Sequence, residues 1–233
     1  MKIAREGIPF IAAFLGAGIV LALLAGALSG VLVWILGAGS AIFFGLGIFS
    51  LWFFRDPERA IPDGPGIVVS PADGTVVAVT EDPQGPSVAI FLSVLNVHVN
   101  RSPIAGRVTD VSYRKGRFLA AFDERAGEMN ERSEILVMGE DGAVRVRQIA
   151  GVLARRIICK VKPGDRLSAG ERFGLIRFGS RTDLRMPPGS TVAVKVGDKV
   201  QGGASVIGRM ASAAAQTPAA LAGTASALRG DRA

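Results

Sequence analysis

Val161-Lys-Pro-Gly-Asp-Arg-Leu-Ser-Ala-Gly170 returns at an offset of 33 residues as Val194-Lys-Val-Gly-Asp-Lys-Val-Gln-Gly-Gly203. Each copy sets a Gly-Asp turn among β-branched and aliphatic residues, the pattern of a chain reversing between strands. Two copies do not make a solenoid. They predict two similar β-arms of a barrel-like or sandwich sheet, with Phe178-Gly179-Ser180-Arg181 at the connection between them. On composition alone that Gly-Ser reads as a loop.

The sequence around the arms agrees. Short apolar runs at 67–69, 75–80, 88–94, 106–113, 144–152 and 157–161 alternate with Gly, Pro and Asp, and no long amphipathic helix stands out. Residues 211–233 hold ten Ala with Ser, Thr, Gly and Pro, a low-complexity tail expected to be disordered. Residues 55–210 then form one compact domain of mainly β (α+β) class, a β-sandwich or barrel-like unit.

The other end differs in kind. Residues 7–54 contain no Asp, Glu, Lys or Arg, so only Lys2, Arg5 and Glu6 of the 47 charged residues precede that run. One helix of that length would run roughly 70 Å against a hydrocarbon core of about 30 Å, whereas two spans fit. The spacing predicts helices near 8–28 and 33–54 with a turn at Ser29-Gly30, a transmembrane hairpin within residues 1–54. Gly16, Gly18, Ala25, Gly37 and Gly39 would let the helices approach closely. Lys2 and Arg5 before it and Arg55 and Arg59 after it place both ends on the cytoplasmic side of the cell (inner) membrane, with the following domain there too. A cleaved signal peptide ending near Ala25-Gly26-Ala27 fits less well, because its apolar stretch is too long and a second span follows.

Composition also excludes. One Cys rules out an internal disulfide framework and a multi-Cys metal site and suits a reducing cytoplasm, and one His rules out a His-rich zinc centre. The net charge of +7 suits an anionic membrane surface, and without a basic helix or an RNA-binding motif nucleic acid is not expected. Arg55, Arg59, Arg155, Arg156 and Arg181 are candidates for phosphate or carboxylate contact, although most such residues are ordinary surface charges. Cys159 reads as a buried small hydrophobe.

Three motifs stand together: Pro71-Ala72-Asp73-Gly74, then Asn96-Val97-His98-Val99-Asn100-Arg101-Ser102-Pro103, then Phe178-Gly179-Ser180. With Phe54-Arg55-Asp56-Pro57 behind the apolar segment and Asn130-Glu131-Arg132 between, the chain resembles the short, pyruvoyl-dependent phosphatidylserine decarboxylase proenzymes over roughly residues 50–210.

That resemblance implies self-processing. The Ser180 hydroxyl attacks the Gly179 carbonyl, the peptide becomes an ester, and elimination leaves a dehydroalanine that hydrolyses to a pyruvoyl group and ammonia. A β chain of residues 1–179 and an α chain of 180–233 would stay associated. The pyruvoyl group, made from Ser180, supplies a carbonyl that condenses with the substrate amine and accepts the electron pair released with carbon dioxide. No external cofactor and no metal are then required, and a glycine-rich phosphate loop leading into a helix is absent from the sequence. The substrate implied is an anionic phospholipid, and the oligomeric state is left open, a homodimer included.

Two more residues take roles by resemblance. His98, the one histidine, becomes the acid/base of processing and of the later protonation, a task suited to a group titrating near neutrality. By residue type alone it reads as a packed strand residue, with Asn96, His98 and Asn100 sharing one strand face. Asp73, by itself a turn residue, becomes the carboxylate that orients and charges His98 in a relay ending at Ser180. The longer relatives carry a second His where this chain has Arg101, which leaves the base that drives self-cleavage open.

Two alternatives remain. One is decarboxylation of another serine-headed lipid. The other is a noncatalytic carrier or scaffold on a membrane anchor, because Val-x-Val-Gly-Asp-Lys-Val-x-x-Gly also occurs in biotinyl- and lipoyl-like domains. Those need a modifiable Lys at a hairpin tip, typically beside Met, and neither arm has one.

Overall fold

The structure is a computed structural model, and it describes residues 2–120, 123, 125–152, 156–177 and 180–211. The chain divides into two compact units, residues 1–58 and residues 59–233.

In the first unit β1 (Lys2–Ile3) leads to α1 (Ile8–Gly26) and α2 (Val31–Phe53), and β2 (Arg55–Asp56) follows. At about 1.5 Å per residue the helices are about 28 and 34 Å long, each sufficient to cross a hydrocarbon core. Gly30, at φ 75°, makes the turn between them. β1 pairs antiparallel with β2, Lys2 opposite Asp56, so both ends of the hairpin lie side by side. Small residues seat the helices as the sequence predicts, at partly different positions. A Cβ on Gly18 would lie 3.3 Å from the Phe44 ring and one on Gly39 3.3 Å from Leu21, but Gly16 and Gly37 face open space. Gly47, whose Cβ would fall 2.4 Å from Leu15 Cδ2, takes the tightest approach between the helices. Ser40 Oγ donates to Gly18 O across the helices at 2.8 Å, which hides a polar group in an apolar setting.

The second unit is mainly β. Its strands are β3 (Ile67–Val69), β4 (Gly74–Asp82), β5 (Gly85–Leu92), β6 (Val99–Arg101), β7 (Gly106–Arg114), β8 (Arg132–Gly139), β9 (Gly142–Ile149), β10 (Ile157–Cys159), β11 (Arg166–Leu167), β12 (Arg172–Ile176), β13 (Ser180–Arg185), β14 (Thr191–Val192), β15 (Lys199–Val200) and β16 (Val206–Arg209). One short helix, α3 (Ala126–Met129), precedes β8. Eight strands form an antiparallel sheet in the order β11-β7-β8-β9-β13-β5-β4-β15, and two three-stranded sheets, β10-β12-β6 and β14-β16-β3, complete the unit. The core gathers Ile90, Val108, Ile135, Val146 and Leu184 from the large sheet with Val68, Phe173 and Ile207 from the small ones.

The repeated segment lands at opposite edges of the large sheet. Lys162 N donates to Asp165 Oδ2 (2.9 Å) and Lys195 N to Asp198 Oδ2 (3.0 Å), with Gly164 and Gly197 at φ 100° and 97°. After these matching turns β11 pairs with β7 and β15 with β4. Between the arms the chain does not stay a loop: Ser180 opens β13, a central strand flanked by β9 and β5.

Candidate active site

β13 alternates buried Ser180, Thr182 and Leu184 with half-buried Arg181, Asp183 and Arg185. The period of a strand therefore points the Ser180 hydroxyl to the packed face. Its Oγ is fully buried and makes no hydrogen bond among the described residues. An unmatched buried hydroxyl costs about 1–3 kcal/mol, an expense that packing alone does not require. Gly179 and Phe178, the other residues of the expected cleavage motif, lie outside the described residues.

His98 reaches the same place by register. Ser180 is paired with Leu92, the last residue of β5, and the chain runs from Leu92 through a turn at 93–96 to His98. The backbone N–H of Ile176, the last residue of β12, donates to His98 O at 3.2 Å, and only residues 177–179 separate Ile176 from Ser180. Two short connections thus tie Ser180 and His98 to one end of adjoining sheets. The His98 side chain is fully buried and Nδ1 lies 2.9 Å from Asn96 O. A carbonyl only accepts, so Nδ1 carries a hydrogen, and Nε2 is the ring nitrogen left to exchange a proton. Of the stretch 96–100 only Val99 and Asn100 belong to a strand, β6, so the expected alternation has no continuous strand to run along. Val97 through Ile104 are all buried, strand and flanking residues alike.

Asp73 lies at the start of β4, where a Cβ on Gly74 would sit 2.2 Å from Phe91 O, so glycine lets the loop press against β5. Its carboxylate accepts from Arg59 Nη2 and from the Gly202 N–H, each at 2.8 Å. Arg59 also donates to Gln201 Oε1 at 2.7 Å. The loop is anchored beside β6 because Arg101 N donates to Pro71 O at 2.9 Å. Arg101 itself is buried and donates from Nη1 to Gly170 O at 3.1 Å.

A polar network missed in the sequence lies behind these groups. Gln148 Nε2 donates to Asn100 Oδ1 (2.9 Å), and Asn100 Nδ2 donates to Thr182 Oγ1 (3.1 Å). All three side chains are buried, and together they link β9, β6 and β13 two residues from both His98 and Ser180. Asn100 stood inside a quoted motif, but its partners are 48 and 82 residues away, which no local pattern reveals.

Other candidates have plain roles. Arg181 grips Asp183 with Nε–Oδ1 2.6 Å and Nη2–Oδ2 3.0 Å, and burial pushes the Asp183 carboxyl up against that pull. Arg55 stacks on Trp52, 4.1 Å from the ring centroid. Cys159 packs against the core with Sγ 3.9 Å from Val161 O. Asn130 is buried and braces the middle loop, bonding Leu119 N and O and Ala150 O. Arg156 is exposed, and Arg155 lies outside the described residues.

The sequence profile described as phosphatidylserine decarboxylase matches residues 46–208. A phosphatidylserine decarboxylase proenzyme of Symbiobacterium thermophilum is 50% identical over 216 residues, covering 89% of this chain and 95% of the relative. One of Syntrophus aciditrophicus is 47% identical over 214 residues, 88% and 96% of the two chains. A third, of Chlorobium phaeovibrioides, is 47% identical over 184 residues, 76% and 83%. A match over most of the chain, with β13 inside the matched residues, means that the chain belongs to the phosphatidylserine decarboxylase family.

Proposed function

We propose that this chain is a proenzyme that cuts itself between Gly179 and Ser180 and then decarboxylates phosphatidylserine to phosphatidylethanolamine. The observation that carries the reading is the buried, unbonded Ser180 Oγ at the head of a central strand, in a chain of this family. The pyruvoyl group formed from Ser180 supplies the electron-accepting carbonyl that loss of carbon dioxide requires.

The chain's own residues fit that group. Ser180 is the first residue of β13, so a cut before it frees a new terminus without removing a strand. Pairing from Arg181 to Arg185 with both β5 and β9 holds that terminus in place. The same pairing, with β15 against β4 and β16 against β3, keeps chains 1–179 and 180–233 together. His98 Nε2 takes the proton of the Ser180 hydroxyl during processing and returns a proton to the substrate carbon later. Asp73, held by Arg59 and Gly202, supplies the negative charge that favours the protonated imidazole. Serine-headed lipid enters from a membrane in which residues 1–54 form the hairpin, with both ends and the catalytic unit on the cytoplasmic side, as Lys2, Arg5, Arg55 and Arg59 favour.

The test is conversion of phosphatidylserine in vesicles by the wild-type chain and by Ser180→Ala. The wild type should release carbon dioxide and leave phosphatidylethanolamine, while Ser180→Ala stays one chain and is inactive. Activity in Ser180→Ala, or turnover of a different serine-headed lipid in preference to phosphatidylserine, contradicts the proposal.

A further inference from the structure

Exposed apolar side chains of the second unit are gathered rather than scattered. Among its described residues seven large apolar side chains are exposed, and five of them, Val94, Leu95, Tyr113, Met129 and Val152, lie at the end of the large sheet where Ser180 begins β13. Val94 and Leu95 follow Leu92, the partner of Ser180, and Val152 follows Ile149, the partner of Arg181. Tyr113 is paired with Ser133, and Met129 leads into β8. At about 4.8 Å per strand, the five strands from β7 to β5 spread this rim over about 20 Å.

Leu95 is the most exposed of them, at 63%. Its turn is built to hold it there. Asn96 Oδ1 accepts from Ser93 N (2.9 Å) and Ser93 Oγ (2.7 Å), and Asn96 N donates to Ser93 O (3.0 Å). The next carbonyl, Asn96 O, receives His98 Nδ1, so the turn that orients the candidate base also displays the leucine. Loop tips ordinarily carry small polar residues, and a contiguous apolar patch marks a contact surface. Among the described residues Arg114, Lys115, Arg117 and Arg156 are exposed at the same strand ends, against one exposed carboxylate there, Glu128. Apolar tips ringed by cations are complementary to anionic lipid.

We propose that this rim is the surface on which the catalytic unit rests against an anionic phospholipid bilayer, with Val94 and Leu95 entering the interfacial layer. The inference rests on the phosphatidylserine reading and deepens it. The substrate headgroup meets Ser180 while its acyl chains stay in lipid, so the bilayer-facing turn sets access to the site.

The test uses the full chain reconstituted in vesicles of phosphatidylglycerol and phosphatidylcholine. In a Cys159→Ser background, an environment-sensitive fluorophore on Leu95→Cys should emit to the blue and be quenched by spin-labelled lipid, whereas the same fluorophore on Met138→Cys should report water. Water-like emission at both positions overturns the proposal, as does crosslinking of position 95 between copies without lipid quenching, which would make the rim a contact with a second copy. Kinetically, Leu95→Ser should raise KM for bilayer phosphatidylserine about tenfold, the factor that about 1.4 kcal/mol of lost apolar burial represents, with self-cleavage intact. Turnover of a short-chain phosphatidylserine dissolved as monomer should be unchanged. Equal losses on both substrates would assign Leu95 a structural role and sink the proposal. The fluorescence needs no turnover, so an inactive wild type would refute the decarboxylase reading and still leave the rim tested.

Discussion

Arg59 and Asp73 form an ion pair at 2.8 Å in which both side chains are largely shielded, at 14% and 12% exposure. The second carboxylate oxygen is held by the Gly202 N–H, so the group is fixed from two sides. Removing one partner of such a pair leaves a desolvated charge, a loss of about 3–5 kcal/mol when burial is complete and less here. We predict that Arg59→Met slows self-cleavage at least tenfold and that Arg59→Lys recovers part of the rate. The half-life of the uncut chain on a denaturing gel reads both, and an Arg59→Met chain that cuts at the wild-type rate contradicts a role for the pair.

Gln148, Asn100 and Thr182 should behave as one unit. Thr182→Val and Asn100→Ala each break a buried hydrogen bond and should each cost about 1–3 kcal/mol of stability. The double variant should lose less than the sum, because residues of one network couple. Denaturant unfolding of the three variants checks this, and strict additivity would show that the Asn100–Thr182 contact carries no energy.

In the hairpin, two glycines of the same helix should respond oppositely. Gly47→Val drives a side chain into Leu15 and should destabilise the helix pair by about 1–3 kcal/mol, whereas Gly37→Val meets nothing within 4 Å. Thermal unfolding in detergent should separate them. Equal effects would contradict this helix packing.

Tyr113 is the only tyrosine, so its titration is directly visible in the near ultraviolet. A hydrogen bond to the Glu131 carboxylate, with some burial, pushes the phenol from the ordinary value near 10 to about 12. The folded state favours the neutral phenol. Its contribution to stability is therefore complete below the unfolded value and disappears as pH rises through about 12. Glu131→Gln should return the titration toward 10, and an unchanged curve would mean that the contact is not made.

How much of this was legible depended on which residues carried the signal. The hairpin announced itself because residues 7–54 carry no charge, and the two arms did because a Gly-Asp turn needs particular residues. β8 and β13 were missed because Glu134, Arg181, Asp183 and Arg185 make them look like polar loops. The charges belong to the outer face, where Arg147 lies opposite both Glu134 and Asp183, and the inner face alternates buried Ser133, Ile135 and Val137 or Ser180, Thr182 and Leu184. Ser180, His98 and Asp73 were readable as members of motifs. Arg59 was named only as an anion contact, and its actual partner is an internal carboxylate 14 residues along the chain.

If Ser180 converts itself into the first group of a new chain, the intact mass of the purified wild-type protein records the change. Two polypeptides are expected, residues 1–179 with an ordinary carboxyl end and residues 180–233 lighter than the encoded sequence by one ammonia and blocked to sequencing from its N-terminus. A single species of 233 residues, or a 180–233 fragment that retains an unmodified serine, would contradict it.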